Sequence, residues 1–513
     1  PPADGLLQNW EMCMTRQRAG AFSLTRRNFL ALSAAGTSAV VLAACGNGSS
    51  AATVVGPDSD VVGQAEDARR SAVGRQVDIS LRAQSSTIDL GGVQVQTWTF
   101  GDRLPGAEVR LSRGDVLRAQ LDNRLEQETT IHWHGIALRN DMDGVPGLTQ
   151  PAVASGDSFG YDFTVPDAGT YFFHPHVGTQ LDRGLYAPLI VEDPADGSDY
   201  DLEAVLVLDD WLDGVAGDPD RELERLRSEG MSMGGMSMSA PTAQSPLGGD
   251  TGDVSYPYYL INGKIAADPI VLGGRPGQRL RLRIINAAAD TAFRFAVGGH
   301  PLTVTHSDGF PVQPEQAQCL LIGMGERYDA IITLQDGAFP IVAAAEGKDG
   351  SGFAVLRTGP GAAPQSSVRP AELSAAPVMA DQLMSLDTVR LSAREPDRTY
   401  DIALGMEMGG YTWTLNGETY EQHTPLDVRE GERVRLRFVN ATTMFHPMHL
   451  HGHTFEVVNG AGSGPRKDTS SLVLPNQTVE VDFDTDNPGQ WLLHCHNLYH
   501  GEAGMMTSVS YLA

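Results

Sequence analysis

The residues best suited to chemistry sit together in "WLLHCHNLYHGEAGM", residues 491–505 of the 513-residue chain. His494 and His496 flank Cys495, His500 follows, and Met505 closes the run. Alternate residues of a strand share a face, and the residue between them points the other way. His494 and His496 are therefore expected on one side and Cys495 on the other. A single metal ion does not reach all three, so the spacing predicts two metal sites back to back.

More histidine pairs occur in "HWHG" (His132, His134), "HPH" (His174, His176) and "HPMHLHGH" (His446, His449, His451, His453). Internal repeats position them. "GDVLRAQLDN" (114–123), "GQRLRLRIIN" (277–286) and "GERVRLRFVN" (431–440) each run from glycine to asparagine with apolar and polar residues alternating. That alternation is expected of a strand with one buried face. A second shared stretch, "YDFTVPDAGTYFFHPH", "YDAIITLQDGAFPIVA" and "VDFDTDNPGQWLLHCH", reads as strand, turn and strand. Aligned on these landmarks, His132 and His134 match His449 and His451, and His174 and His176 match His494 and His496. The middle copy has Phe295, Val297, Val342 and Ala344 there. The chain is expected to be all-β, with three related β-sandwiches at 74–195, 196–370 and 371–513. The second boundary falls in the Pro/Ala/Ser-rich "TGPGAAPQSSVRPAELSAAP".

Eight imidazoles at symmetric places need a shared ligand, because every buried nitrogen left unpaired costs free energy. Imidazoles with no carboxylate partner suit copper or zinc better than calcium or magnesium. Cys495 separates the two: with His446, His500 and a weak axial Met505 it makes the blue-copper set used for electron transfer. A zinc site would recruit a second cysteine or a carboxylate. Cys495 then becomes a covalent bridge from a blue copper to the cluster held by His494 and His496. His300, His306 and His423 read as structural or surface residues, His453 as a neighbour of the site, and Cys319 in "QCLLIGMG" as core.

The net charge of −27 argues against a nucleic-acid partner and suits cationic solutes, or simply the solubility of an exported protein. "SLTRRNFLALSAAGTSAVVLAACG" pairs Arg26 and Arg27 with a short apolar run, like a twin-arginine export signal, and its "LAAC" resembles a lipobox. Residues 1–45 are thus expected to be a signal peptide, with Met12 or Met14 as the natural start. A lipid on Cys45 would be the only membrane attachment of a cell-envelope protein; an ordinary cleavage site is the alternative. Residues 46–73 read as a flexible polar tether outside any core.

"HWHG", "HPH", "HPMHLHGH" and "HCHNLYHGEAGM" resemble, in order and separation, the four copper motifs of the multicopper oxidases. The resemblance covers the chain after residue 75 and is closest to three-domain bacterial laccases and copper efflux oxidases. It implies three cupredoxin-like Greek-key domains and four copper ions. Type 1 would be held by His446, Cys495, His500 and Met505, type 2 by His132 and His449. The type 3 pair would be held by His134, His174, His176, His451, His494 and His496. The implied reaction couples four one-electron oxidations to reduction of O2 to two waters. Asp143 stands where the family has a proton-relay acid, with Asp141 as the alternative. Glu502 lies one residue beyond the usual place of a second acid.

The methionines bear on the donor. Met231, Met233, Met236 and Met238 of "GMSMGGMSMS", Met406 and Met408 of "GMEMGG", and Met444 offer soft thioethers for Cu(I). By resemblance they point to a cuprous oxidase in copper detoxification, with Fe(II) and phenols as other donors. Thr442 stands in place of an aspartate useful to copper efflux oxidases. A laccase with an organic donor and a copper-sequestering envelope protein are the alternatives. A monomer is expected.

Overall fold

The computed structural model describes residues 53–70, 74–193, 199–230, 245–460 and 463–513. Arg26, Arg27, Cys45 and Met231 to Met238 lie outside the described residues. Every described residue belongs to one compact unit, Ala52–Ala513.

The glycine-to-asparagine repeats form the strands Val116–Asn123, Arg279–Asn286 and Arg433–Asn440. Each pairs in parallel with the first strand of its own sandwich, Gln76–Asp89, Leu202–Trp211 or Arg398–Met406. On its other edge each pairs antiparallel with the first half of the second shared stretch, Ser158–Thr164, Arg327–Thr333 or Thr478–Asp484. Three sheets of four, six and six strands are thus built on one plan, and their partner sheets have four, five and four. Alternation buries Leu117, Ala119 and Leu121 in the first copy, and Val434, Leu436 and Phe438 in the third. In the middle copy the polar positions are buried too. Arg281 and Arg283 share Asp329 Oδ2, and Arg283 Nη1 reaches Thr170 Oγ1 of the first sandwich at 2.9 Å.

The terminal asparagine has the same task in all three copies. Asn123 Nδ2 donates to the carbonyls of Gln127 and Val153, Asn286 Nδ2 to Thr291 and Ile322, and Asn440 Nδ2 to Met444 and Val473. Each Oδ1 accepts from the backbone N–H two residues on, at 2.9–3.0 Å. The three bonds fold back the loop after each strand and so fix the start of the next one. In the outer copies that next strand carries histidines.

Two sequence expectations need correction. In the middle copy Ala296, and not Phe295, faces Val342; the equivalence is one residue further along, and the position is still apolar. Residues 53–70 are also no tether. Ser59 caps the helix Asp60–Arg69, whose Val62 and Glu66 are buried, and Glu66 Oε1 accepts from Thr164 N and Oγ1 at 2.8 and 2.7 Å. Val55 N bonds Tyr511 O and Ala513 N bonds Thr53 O, both at 2.8 Å. The capping serine and the Val54-Val55 and Val61-Val62 pairs supply structure that the small-residue composition around them obscured. No helix among the described residues is long and apolar enough to cross a membrane.

Candidate metal centre

The strand His132–His134 pairs with Gly169–His174 so that His132 faces His174. In the third sandwich Met448–Leu450 pairs with Gln490–Cys495 so that His449 faces His494. The two short ladders bring eight imidazoles to one cavity. All are buried except His176, which is half-buried.

Most of these rings have one nitrogen tied to protein and the other turned inward. Nδ1 donates to Asp143 Oδ1 from His132 (3.1 Å), to Asp143 Oδ2 from His451 (2.8 Å) and to the Asp468 carbonyl from His449 (2.9 Å). His174 and His494 donate to the Pro175 and Cys495 carbonyls at 3.0 and 2.9 Å. Such bonds set the tautomer and leave Nε2 as a lone-pair donor. His134 is reversed: Nε2 lies 3.1 Å from both Asp468 Oδ1 and Thr469 Oγ1, and Nδ1 has no partner. Nε2 of His174 and of His176, and both nitrogens of His496, are unpartnered as well. Each such buried atom costs about 1–3 kcal/mol unless something binds it.

Inward nitrogens also crowd one another. His132 Nε2 is 3.3 Å from His449 Nε2, and His451 Nε2 is 3.2 Å from His494 Nε2. Ligand atoms of His176, His451 and His494 lie within 4.8 Å of each other. The rings of His134, His174 and His496 form another group, with centroids 4.8–5.7 Å apart. Burial, then the neighbouring imidazoles, hold His176, His451 and His496 well below the usual histidine range. The rings are therefore neutral, as cation ligands must be.

Cys495 lies on the reverse face, as strand alternation requires. Its Sγ is 3.6 Å from His446 Nδ1 and 3.7 Å from His500 Nδ1, and those nitrogens are 3.2 Å apart. The far nitrogens are tied to Thr442 Oγ1 and Asp253 Oδ2, each at 2.9 Å. Met505 is fully buried, and its carbonyl accepts from Cys495 N at 3.1 Å. Trp413 packs on His500 with ring centroids 4.0 Å apart.

Other expected residues divide. Asp143 has both oxygens on ligand rings, whereas Asp141 is paired with Arg139 at 2.6 Å. Glu502, His176, Arg227 and Met506 line a cavity of about 470 Å³. Glu502 and His176 also line a smaller one that reaches Cys495 and His496. Burial, opposed by Arg227, pushes the Glu502 carboxyl up to about 7. Met408 is 99% exposed and Met406 half-buried. Met444 is fully buried, two residues before His446. Of the remaining histidines, His453 bonds Tyr511 and His423 bonds Ser508. Sequence reasoning missed Asp253, Asp468 and Arg327. Each stands in or beside a charged or glycine-rich turn, and nothing in its own neighbourhood points to a partner from another sandwich.

Two donor sets, one of imidazoles alone and one of thiolate with two imidazoles, match the softness of copper. The comparisons with known proteins agree. Residues 82–196, 203–361 and 393–512 each match the multicopper oxidase family. Multicopper oxidase MmcO of Mycobacterium tuberculosis is 45% identical over 95% of this chain and 97% of its own. The chain belongs to the multicopper oxidases. A copper resistance protein A homolog of Pseudomonas syringae is 27% identical to this multicopper oxidase, covering 84% of this chain and 92% of its own. Among solved structures, the laccase from Botrytis aclada matches with a TM-score of 0.69 and 26% identity, covering 86% of this chain and 88% of its own. The three sandwiches are cupredoxin-like, and the copper complement of the family is one type 1 ion, one type 2 ion and a type 3 pair.

Proposed function

We propose that this multicopper oxidase takes electrons from Cu(I), with O2 as acceptor, and so serves copper detoxification at the cell envelope. The observation that carries the reading is a methionine-bearing loop that leads to a carboxylate partner of His500. Met408 is exposed on the loop Met406–Gly410, and Gly230, the residue before the methionine run, lies against Gly409 and Gly410 of that loop. The same loop leads to Tyr411, whose hydroxyl donates to Asp253 at 2.6 Å, and Asp253 accepts from His500. An exposed thioether thus stands three residues before Tyr411, which bonds the carboxylate that holds a ligand ring, and soft thioethers suit a monovalent copper cation. The name of the Pseudomonas syringae relative points the same way.

In this reading His446, Cys495, His500 and axial Met505 hold type 1. His132 and His449 hold type 2. The triads His176/His451/His494 and His134/His174/His496 hold the type 3 pair. When bound, the coppers supply one-electron oxidation at the Cys495 site and reduction of O2 to two waters in the imidazole cavity. Cys495 links the two sites covalently through its neighbours in the strand. Asp143 orients His132 and His451, and Glu502 is placed beside the larger cavity to pass protons toward His176. Export by the twin-arginine signal with a lipid on Cys45 belongs to the same proposal. A phenolic donor is the second reading, favoured by the likeness to the Botrytis aclada laccase.

Oxygen uptake by copper-loaded chain with Cu(I), Fe(II) and a phenol, side by side, tests the choice. Cu(I) is expected to give the highest kcat/KM, and deletion of residues 230–239 should lower it selectively. Equal cuprous rates with and without that segment would reject its role, and uptake with the phenol alone would make the protein a laccase.

A further inference from the structure

The middle sandwich contributes none of the eight imidazoles, yet one of its turns lies against two of them. Gly325 has φ 81°, and a Cβ built there would stand 2.9 Å from the His496 ring and 3.1 Å from Cε1 of His134. Only glycine fits that approach. Two residues on, Arg327 is fully buried and uses its whole guanidinium. Nε donates to Thr170 O at 3.0 Å, Nη1 to Gly325 O at 3.0 Å and to Asp468 Oδ1 at 2.7 Å, and Nη2 to Asp468 Oδ2. One side chain of the middle sandwich thereby joins a carbonyl of the first to a carboxylate of the third.

Asp468 passes the constraint on. Its Oδ1 lies 3.1 Å from His134 Nε2, and its backbone carbonyl holds His449 Nδ1 at 2.9 Å. The glycine of "HWHG" has its explanation here. At φ 88°, a Cβ on Gly135 would meet Arg327 Nη2 at 2.4 Å and Asp468 Oδ2 at 2.6 Å. The surroundings are sealed by Lys467 Nζ, 3.1 Å from both Asp308 Oδ2 and Glu326 Oε1.

We propose that Arg327 is a positioning residue of the copper cluster. Its bidentate grip on Asp468 turns His134 so that Nδ1 faces the cavity, and aims His449 Nε2 at the type 2 position. The planar fork is what the site uses, and lysine has none. Outer-sphere partners of this kind change metal affinity about 10–100-fold when lost. The inference rests on the ligand assignment above.

Copper stoichiometry and EPR spectra of the wild-type chain, Arg327→Lys and Asp468→Asn test it, with the blue absorption of the Cys495 site as an internal record of folding. A four-copper wild type with a type 2 signal secures the ligand assignment; a wild type without that signal sinks the assignment and this inference together. Both variants are expected to keep the blue band, to hold closer to three coppers under limiting copper, and to show an altered type 2 hyperfine pattern. Variants with four coppers and the wild-type type 2 spectrum would overturn the role of Arg327. So would loss of the blue band along with the type 2 signal in both variants, since that pattern belongs to a general element of the fold.

Discussion

The outer and middle sandwiches share a topology, a parallel strand pair and a three-bond asparagine clamp, yet only the outer two present histidines to the cavity. The middle one has Ala296 facing Val342 in the corresponding ladder. It is not an idle spacer. Asp253 receives the far nitrogen of His500, and Arg327 grips the carboxylate beside His134. The difference teaches how a repeat can lack ligands and keep a part in the site: the outer copies present the imidazoles, and Asp253 and Arg327 of the middle copy hold His500 and the Asp468 carboxylate.

The comparison can be broken most severely at Cys495. Cys495→Ser should abolish the blue absorption and donor oxidation while the imidazole cavity still binds copper, read by absorption spectra and metal analysis. Asp143→Asn should lower turnover about 10–100-fold, because it disturbs two ligand rings at once. Asp253→Asn tests the middle copy directly: donor oxidation should fall about tenfold with the blue band retained.

Asn286→Ala and Asn440→Ala sharpen the contrast. Each should cost about 2–3 kcal/mol in denaturant unfolding, but only the second should shift the blue band. The smallest effect is one of pH. Burial raises the Asp210 carboxyl of the middle sandwich from 3.8 to about 6, against Lys348. A raised folded pKa favours the neutral form, so this stability is full below pH 4 and lost as pH passes 6. Thermal melts between pH 4 and 7 should show a decline on the order of 2 kcal/mol, reduced in Asp210→Asn.

Repeats and alternation made the three sandwiches legible, because a strand with one buried face writes its period into the chain. The opposite faces of Cys495 and its flanking histidines followed from the same period. Long-range partners were not legible. Nothing beside Asp253 or Arg327 announces that a ligand ring or its carboxylate will arrive from another sandwich. The segment 53–70 misled for a different reason: buried Val55, Val62 and Glu66 with a capping serine dock a helix on a preformed surface, although so short a segment could not fold alone.

The bonds between residues 53–55 and 511–513 have a consequence for timing. The first described residues to leave the ribosome wait for the last before they are paired. The cavity is subject to the same schedule, since His132 and His449 are 317 positions apart and His496 comes later still. The complete set of imidazoles can therefore form only once the chain through His496 has been made and folded. An export route that accepts folded cargo would suit such a chain, because a partly made one has no finished site to load.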